Sequence, residues 1–189
     1  MTTYNTYADI LRPSDNRRAL GYDLGLVVGG SLFIALLAQL SLNIGPVPIT
    51  GQTLGVLLIG ALFGSKRGAL TVLAYLAQGA MGLPVFAGGT AGPAVLVGPT
   101  AGYLVGFVFA AFVVGLLAER GWDRHALTTA LAMLIGNLVI YTVGVAWLST
   151  LIGLEAAIAN GVVPFLLGDL LKIALATALL PLGWKLINE

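Results

Sequence analysis

The chain has 189 residues, of which 58% are hydrophobic and 9% charged, with no cysteine and a formal charge of +1. Soluble domains carry about 25% charged residues, so this is a membrane protein, of a length that suits one domain. The composition excludes a disulfide framework, thiolate chemistry and a basic surface for nucleic acid.

Residues 1–19 contain Arg12, Arg17 and Arg18 and are expected to form a cytoplasmic or interfacial N-terminal segment, with residues 20–187 as the membrane domain. The first apolar run, Leu20–Asn43, is too long for the hydrophobic part of a signal peptide and reads as a retained span. Within it Gly21, Gly25 and Gly29 recur every fourth residue, and Ser31 and Ala35 repeat the pattern. Such stripes let helix backbones approach closely in lipid, inside one bundle or against a partner helix.

The segment that follows, Gly45-Pro46-Val47-Pro48-Ile49-Thr50-Gly51-Gln52-Thr53, is too apolar for an ordinary exposed turn. Its prolines favour extended backbone, so Val47 and Ile49 can point inward while Thr50, Gln52 and Thr53 offer hydrogen bonds. It is either a lid over the outer mouth of a bundle or a rigid connector with a wet polar edge. Two short apolar runs come next, Thr53–Gly64 and Gly68–Gly82, the second carrying Tyr75 and Gln78. Ser65-Lys66-Arg67 separates them, and adjacent cations do not sit in mid-bilayer, so they are two spans.

A second irregular segment, residues 83–93, includes Phe86, Gly88, Gly89 and Thr90. Backbone of this kind is tolerated near membrane depth only where it is buried in protein or lines a cavity. Gly98-Pro99-Thr100-Ala101-Gly102-Tyr103 opens a fourth span, Gly98–Ala118, with proline near the first helical position. A polar loop, residues 119–125, holds Arg120, Arg124 and the single histidine, His125. Ala126–Gly153, with Asn137 and Tyr141, and Val162–Ile187 complete the spans. Tyr75, Gln78, Tyr103, Asn137 and Tyr141 suit interhelical hydrogen bonds as well as ligand contacts.

If every basic cluster faces the cytoplasm, an even number of crossings must separate neighbouring clusters. The result is six spans with both termini inside. The outer connections, 44–52, 83–97 and 154–161, then contain no Lys or Arg.

Lys185 marks the inner end of the last span, and Lys172 is the one cation left without a nearby polar segment, three residues after Asp169. An ammonium in hydrocarbon costs roughly 2.5–3.5 kcal/mol on insertion scales. Asp169 falls ~10 Å along its helix, in the outer half of the bilayer, and residues i and i+3 share a face. The pair is either a structural salt bridge or part of a pocket for a small ligand with N–H donors and a carbonyl or carboxylate. With no clustered carboxylates and no metal-ligand spacing, an enzyme is not expected.

The Pro-Val-Pro-Ile-Thr-Gly-Gln-Thr segment, Gly82-Leu83-Pro84-Val85-Phe86-Ala87, Gly98-Pro99-Thr100-Ala101-Gly102-Tyr103-Leu104 and Asp169-Leu170-Leu171-Lys172 together resemble the BioY family, the biotin-capturing S components of energy-coupling-factor (ECF) transporters. The resemblance covers about residues 20–187. It implies an all-α integral membrane protein, a six-helix transmembrane bundle of the S-component type with lid-like outer loops, in a prokaryotic cell membrane. It also implies biotin as substrate, a transmembrane coupling subunit and two cytoplasmic ATPases as partners, and no cofactor. The chain has no Gly-x-x-x-x-Gly-Lys-Ser/Thr phosphate loop, so ATP hydrolysis would belong to other chains. Asp169 and Lys172 become the expected principal biotin contacts, Asp169 toward the ureido N–H groups and Lys172 toward the ureido carbonyl or the carboxylate. Thr50, Gln52, Thr53, Tyr75, Phe86, Gly88, Gly89, Thr90, Tyr103, Asn137 and Tyr141 complete the expected binding set. Ser31 and Ala35 fit the motif for docking the coupling subunit. A self-sufficient carrier, acting as a homo-oligomer without ATPases, is the competing expectation.

Overall fold

Glycines, prolines and charged turns end the helices, since a uniformly apolar sequence has no amphipathic edge to do so. A computed structural model describes residues 4–188. A short helix, α1 (Tyr7–Ile10), precedes α2 (Asn16–Gln39), whose first turn is capped by Asp15 accepting from the Arg18 amide at 2.9 Å. Helix α2 stops at Gln39 because Ser41–Leu42 (β1) pairs antiparallel with Ile49–Thr50 (β2), with Ser41 opposite Thr50. The proline-rich segment is thus a small hairpin. Helices α3 (Gln52–Phe63) and α4 (Ser65–Ala80) are joined by Gly64 alone, at φ 83°, a conformation that favours glycine. Two 3-10 turns, Ala87–Gly89 and Pro93–Val97, lead to α5 (Ala101–Ala118) and α6 (Ala126–Ile152). Helix α7 (Leu154–Gly161), a 3-10 turn at Val163–Phe165 and α8 (Leu166–Asn188) complete the chain.

Each of the six expected apolar segments is one helix, α2 to α6 and α8. Among the described residues, four stretches are long and apolar enough to cross a membrane, with α7 and α8 forming one of them. At 12 and 16 residues, α3 and α4 are ~18 and ~24 Å long, short of a ~30 Å hydrocarbon core. The hairpin and the helices α1 and α7 were not anticipated. The outer connection 154–161 is helical because Leu154, Ala157, Ile158 and Gly161 repeat at helical spacing, which lets Ala157 and Gly161 bury against the bundle.

The surface of the bundle is greasy, with Leu20, Leu24, Leu32, Leu36, Leu167, Leu171, Leu175 and Leu179 among its exposed residues. Hydrophobic burial therefore does not drive these helices together, and small residues do. A Cβ on Gly60 or Gly68 would meet the α3 or α5 backbone, and one on Gly106 would meet the carbonyl of Ile140. Gly115 packs directly on the backbone of Gly64 and Ser65. On α5, Gly102 lies under Trp147 and Gly106 against the α6 backbone, so these two glycines form a packing surface.

The basic clusters gather at one end. Arg67 bridges Asp9 at 2.7 Å and Asp23 at 2.8 Å, and Arg12 joins Asp23 at 2.9 Å, which ties α1 to α2 and α4. Burial pulls the Asp9 carboxyl upward, but hydrogen bonds from Arg67 and Thr6 overcome it and hold it below its usual range. In the α5–α6 loop, Asp123 accepts from the Trp184 indole at 2.6 Å, and the Arg124 guanidinium lies 4.1 Å from that ring. Burial raises the Asp123 carboxyl above its usual value.

Gly115→Val forces a branched side chain into the α3–α4 junction. Overpacking costs ~1–3 kcal/mol, so thermal unfolding in detergent is expected several degrees below the wild type, whereas Gly21→Val, with nothing within 4 Å of its Cβ, leaves it unchanged.

Candidate functional site

The end opposite the basic clusters contains a cavity of about 480 Å³. Its walls are the hairpin (Asn43, Pro46, Val47), the Phe86–Thr90 turn, the start of α5, and Ile140, Tyr141 and Phe165. A mostly apolar concavity with a few converging polar groups is the usual form of a small-molecule site.

Buried hydrogen bonds fix the hairpin wall. Thr50 Oγ1 donates to Gln52 Oε1 at 2.9 Å, Gln52 Nε2 donates to the Tyr75 hydroxyl at 2.8 Å, and that hydroxyl donates to the Val85 carbonyl at 3.0 Å. The Gln52 amide also donates to Thr50 Oγ1 at 3.2 Å. This relay links both irregular segments to α3 and α4. Val47, in the loop that leads into β2, is buried, and Ile49 is half-buried. The second wall turns on Phe86, which fills the space over Gly79 and meets Tyr75 edge-on at 5.5 Å. A Cβ on Gly79 would occupy the Phe86 ring position. Gly88, Gly89 and Gly92 have φ of 65°, 75° and 93°, so the Gly88–Gly89 pair is there for the turn. Tyr103 packs on Gly144 and donates to the Gly161 carbonyl at 3.0 Å, joining α5 to α7.

The ion pair sits one residue behind the wall. Lys172 Nζ donates to Asp169 Oδ1 at 3.2 Å and to Thr53 Oγ1 at 2.7 Å, and the Tyr141 hydroxyl donates to Asp169 Oδ2. Asp169 is 4% exposed. Thr53 and Tyr141 line the cavity, and Asp169 and Lys172 do not.

The geometry divides the expected residues. Thr50, Gln52, Thr53, Phe86, Gly88, Thr90, Tyr103 and Tyr141 line the cavity. Tyr75 lies beneath it in the relay, Gly89 shapes the turn, and Asn137 faces a separate small cavity with Lys172. Ser31 and Ala35 are 0% and 8% exposed and therefore do not face outward. Ser31 Oγ accepts from Gln78 on α4 at 2.9 Å and donates to the Val28 carbonyl, so this small-residue pair packs α2 inside the bundle. Leu104, Phe107, Ile140 and Phe165 also line the cavity without having been anticipated. Apolar residues of a cavity wall look like core residues in a sequence, so only their distance from the motifs could have marked them.

A helical membrane bundle with an apolar cavity at one end, two loop walls and a buried ion pair behind them defines a membrane-embedded small-molecule-binding protein. Residues 14–189 match the BioY family, and the chain belongs to it. It is 44% identical over 149 residues to the probable biotin transporter BioY of Pyrococcus horikoshii, covering 77% of this chain and 88% of that protein. It is 43% identical over 164 residues to the biotin transporter BioY of Thermotoga maritima, covering 84% and 95%. The fold matches the 2.1 Å crystal structure of the S-component for biotin from an ECF-type ABC transporter, with a TM-score of 0.76 and 31% identity over 92% of this chain and 95% of that one.

Gly79→Ala displaces the Phe86 ring. Hydrogen exchange at the Phe86 amide, which donates to the Thr90 carbonyl at 3.1 Å, is expected to accelerate at least tenfold in this variant. Equal rates in the two proteins would show that Gly79 does not seat the turn.

Proposed function

We propose that this chain is the biotin-binding S component of an ECF-type transporter, with residues 20–187 as the binding domain and residues 1–19 at the cytoplasmic face. The observation that carries the reading is the polarity the ion pair imposes on the cavity wall. Thr53 accepts from Lys172, so its own proton is left to donate into the cavity. Tyr141 donates to Asp169, so its oxygen is left to accept. A ureido group presents one carbonyl and two N–H donors, which match a donor and an acceptor set side by side. The apolar walls suit a bicyclic ring and an alkyl chain, and desolvated donors and acceptors need such partners. Asp169 and Lys172 thus act on the ligand through Tyr141 and Thr53.

Capture occurs at the outer face. The positive-inside bias assigns the end with Lys66, Arg67, Arg120 and Arg124 to the cytoplasm, and the cavity is at the other end. Delivery inward then requires a transmembrane coupling subunit and two ATPases. On α2, Gly21, Gly25 and Gly29 are exposed with nothing within 4 Å of their Cβ positions. That face replaces Ser31 and Ala35 as the docking surface.

Calorimetry on the purified protein is expected to show biotin binding, and its absence would end this reading. Lys172→Ala and Thr53→Val should each lower affinity at least tenfold, or ~1.4 kcal/mol. The double variant should lose no more than either alone, since the two act in series. A further loss in the double variant would indicate direct contact by Lys172.

Orientation can be tested directly because the chain has no cysteine. Asn43→Cys, at the cavity mouth, is expected to react with a membrane-impermeant maleimide added to intact cells, and biotin should slow the reaction. Arg120→Cys should stay unlabelled. The reverse pattern would place the cavity on the cytoplasmic side.

A further inference from the structure

Behind Lys172 lies a second cavity, of about 10 Å³, lined by Thr53, Leu57, Met133, Asn137, Lys172 and Ile173 among others. Asn137, on α6, is 4% exposed, and its Oδ1 has no hydrogen-bond partner among the described residues. A buried amide oxygen left in this way costs ~1–3 kcal/mol. The Lys172 ammonium has three donors, of which Asp169 and Thr53 take two. Both residues line this cavity, one carrying an unused acceptor and the other an unused donor.

One water satisfies both. It accepts from Lys172 Nζ through its oxygen and donates to Asn137 Oδ1. Its room matches, since a single water needs roughly 10–15 Å³ for its centre and 2–4 polar partners. Apolar walls from Leu57, Met133 and Ile173 leave no space for a second. The positive charge of Lys172, a lining residue, repels a monovalent cation from this cavity.

We propose that this cavity is the site of one buried water, and that Asn137 is a positioning residue that fixes the Lys172 ammonium through it. Thr53 lines both cavities. The water, Lys172 and Thr53 thus form a line that ends in the hydroxyl donated to the ligand. Asn137 does not reach the ligand cavity, so it affects affinity only by holding Lys172 in place. This effect on affinity rests on the binding reading above, whereas the water does not.

Two measurements test the proposal. A crystal structure resolving interior waters is expected to show one at about 3 Å from both Lys172 Nζ and Asn137 Oδ1. No ordered water there, with others visible in the interior, would overturn the proposal whether or not the protein binds biotin. In calorimetry with biotin, Asn137→Leu, which fills the cavity, should weaken binding at least fivefold. Asn137→Ser, which keeps an acceptor, should bind within twofold of wild type. In a Lys172→Ala background, Asn137→Leu should cost nothing further. Wild-type affinity in Asn137→Leu, or equal losses in the Leu and Ser variants, would remove the positioning role. If Asn137→Leu does not fold, the density and the Ser variant decide.

Discussion

The contact between Lys172 and Thr53 is the interaction on which the chemistry of the cavity depends. An ammonium among apolar helices must spend its donors on protein or water, and here two go to Asp169 and Thr53. A hydroxyl that accepts from a cation is left with its proton to give. A phenol that donates to a carboxylate is left with its lone pairs. The ion pair thereby converts two neutral, amphoteric hydroxyls into one fixed donor and one fixed acceptor. Buried ion pairs are near break-even for stability, so this one is better explained by what it does to Thr53 and Tyr141 than by what it adds to the fold. Because the two hydroxyls lie on α3 and α6 while the charges lie on α8, the site exists only when three helices are in register.

That register is set at the other end of the molecule. In lipid the exposed leucines gain nothing by leaving the surface, so close backbone approach carries the packing. Gly60, Gly68 and Gly115 bring α3, α4 and α5 to within contact of each other's main chains. Around them Arg67, Asp9 and Asp23 tie the N-terminal segment down, and Asp123 holds the end of α8 through Trp184. The charged end ties the N-terminal segment and α8 to the bundle, and the cavity lies at the opposite end.

Much of this was legible in the residues themselves. Composition and the placement of Lys and Arg marked the class, the six apolar helices and the segregation of charge, because hydrocarbon punishes misplaced charge heavily enough to leave a record. Asp169 and Lys172 were legible for the same reason. What a residue touches was not legible. Thr50, Gln52 and Tyr75 are polar residues of the expected site, yet they satisfy one another and hold the walls. Ser31 and Ala35 matched a docking pattern, but a small residue fits the inside of a bundle as well as a partner, and Gln78 claims the serine. The β1–β2 pair is two residues long on each strand, too short for any alternation to show. The apolar lining residues carry no mark at all, since a cavity wall and a core differ only in what lies beside them.

The cavity also ends abruptly. Its deepest lining residues are Phe107 and Ile140, and below them Gly60 rests on Ala111 and Gly115 on Gly64 and Ser65. These backbone contacts close α3, α4 and α5 on one another between the cavity and the charged end. A ligand held here can reach the cytoplasmic side only if the whole bundle moves or the glycine contacts separate. Either requires work against the contacts that hold α3, α4 and α5 together. With no phosphate loop in its own sequence, the bundle has no means of supplying that work from ATP. The glycine contacts below the cavity thus suit the fold to holding what the cavity encloses.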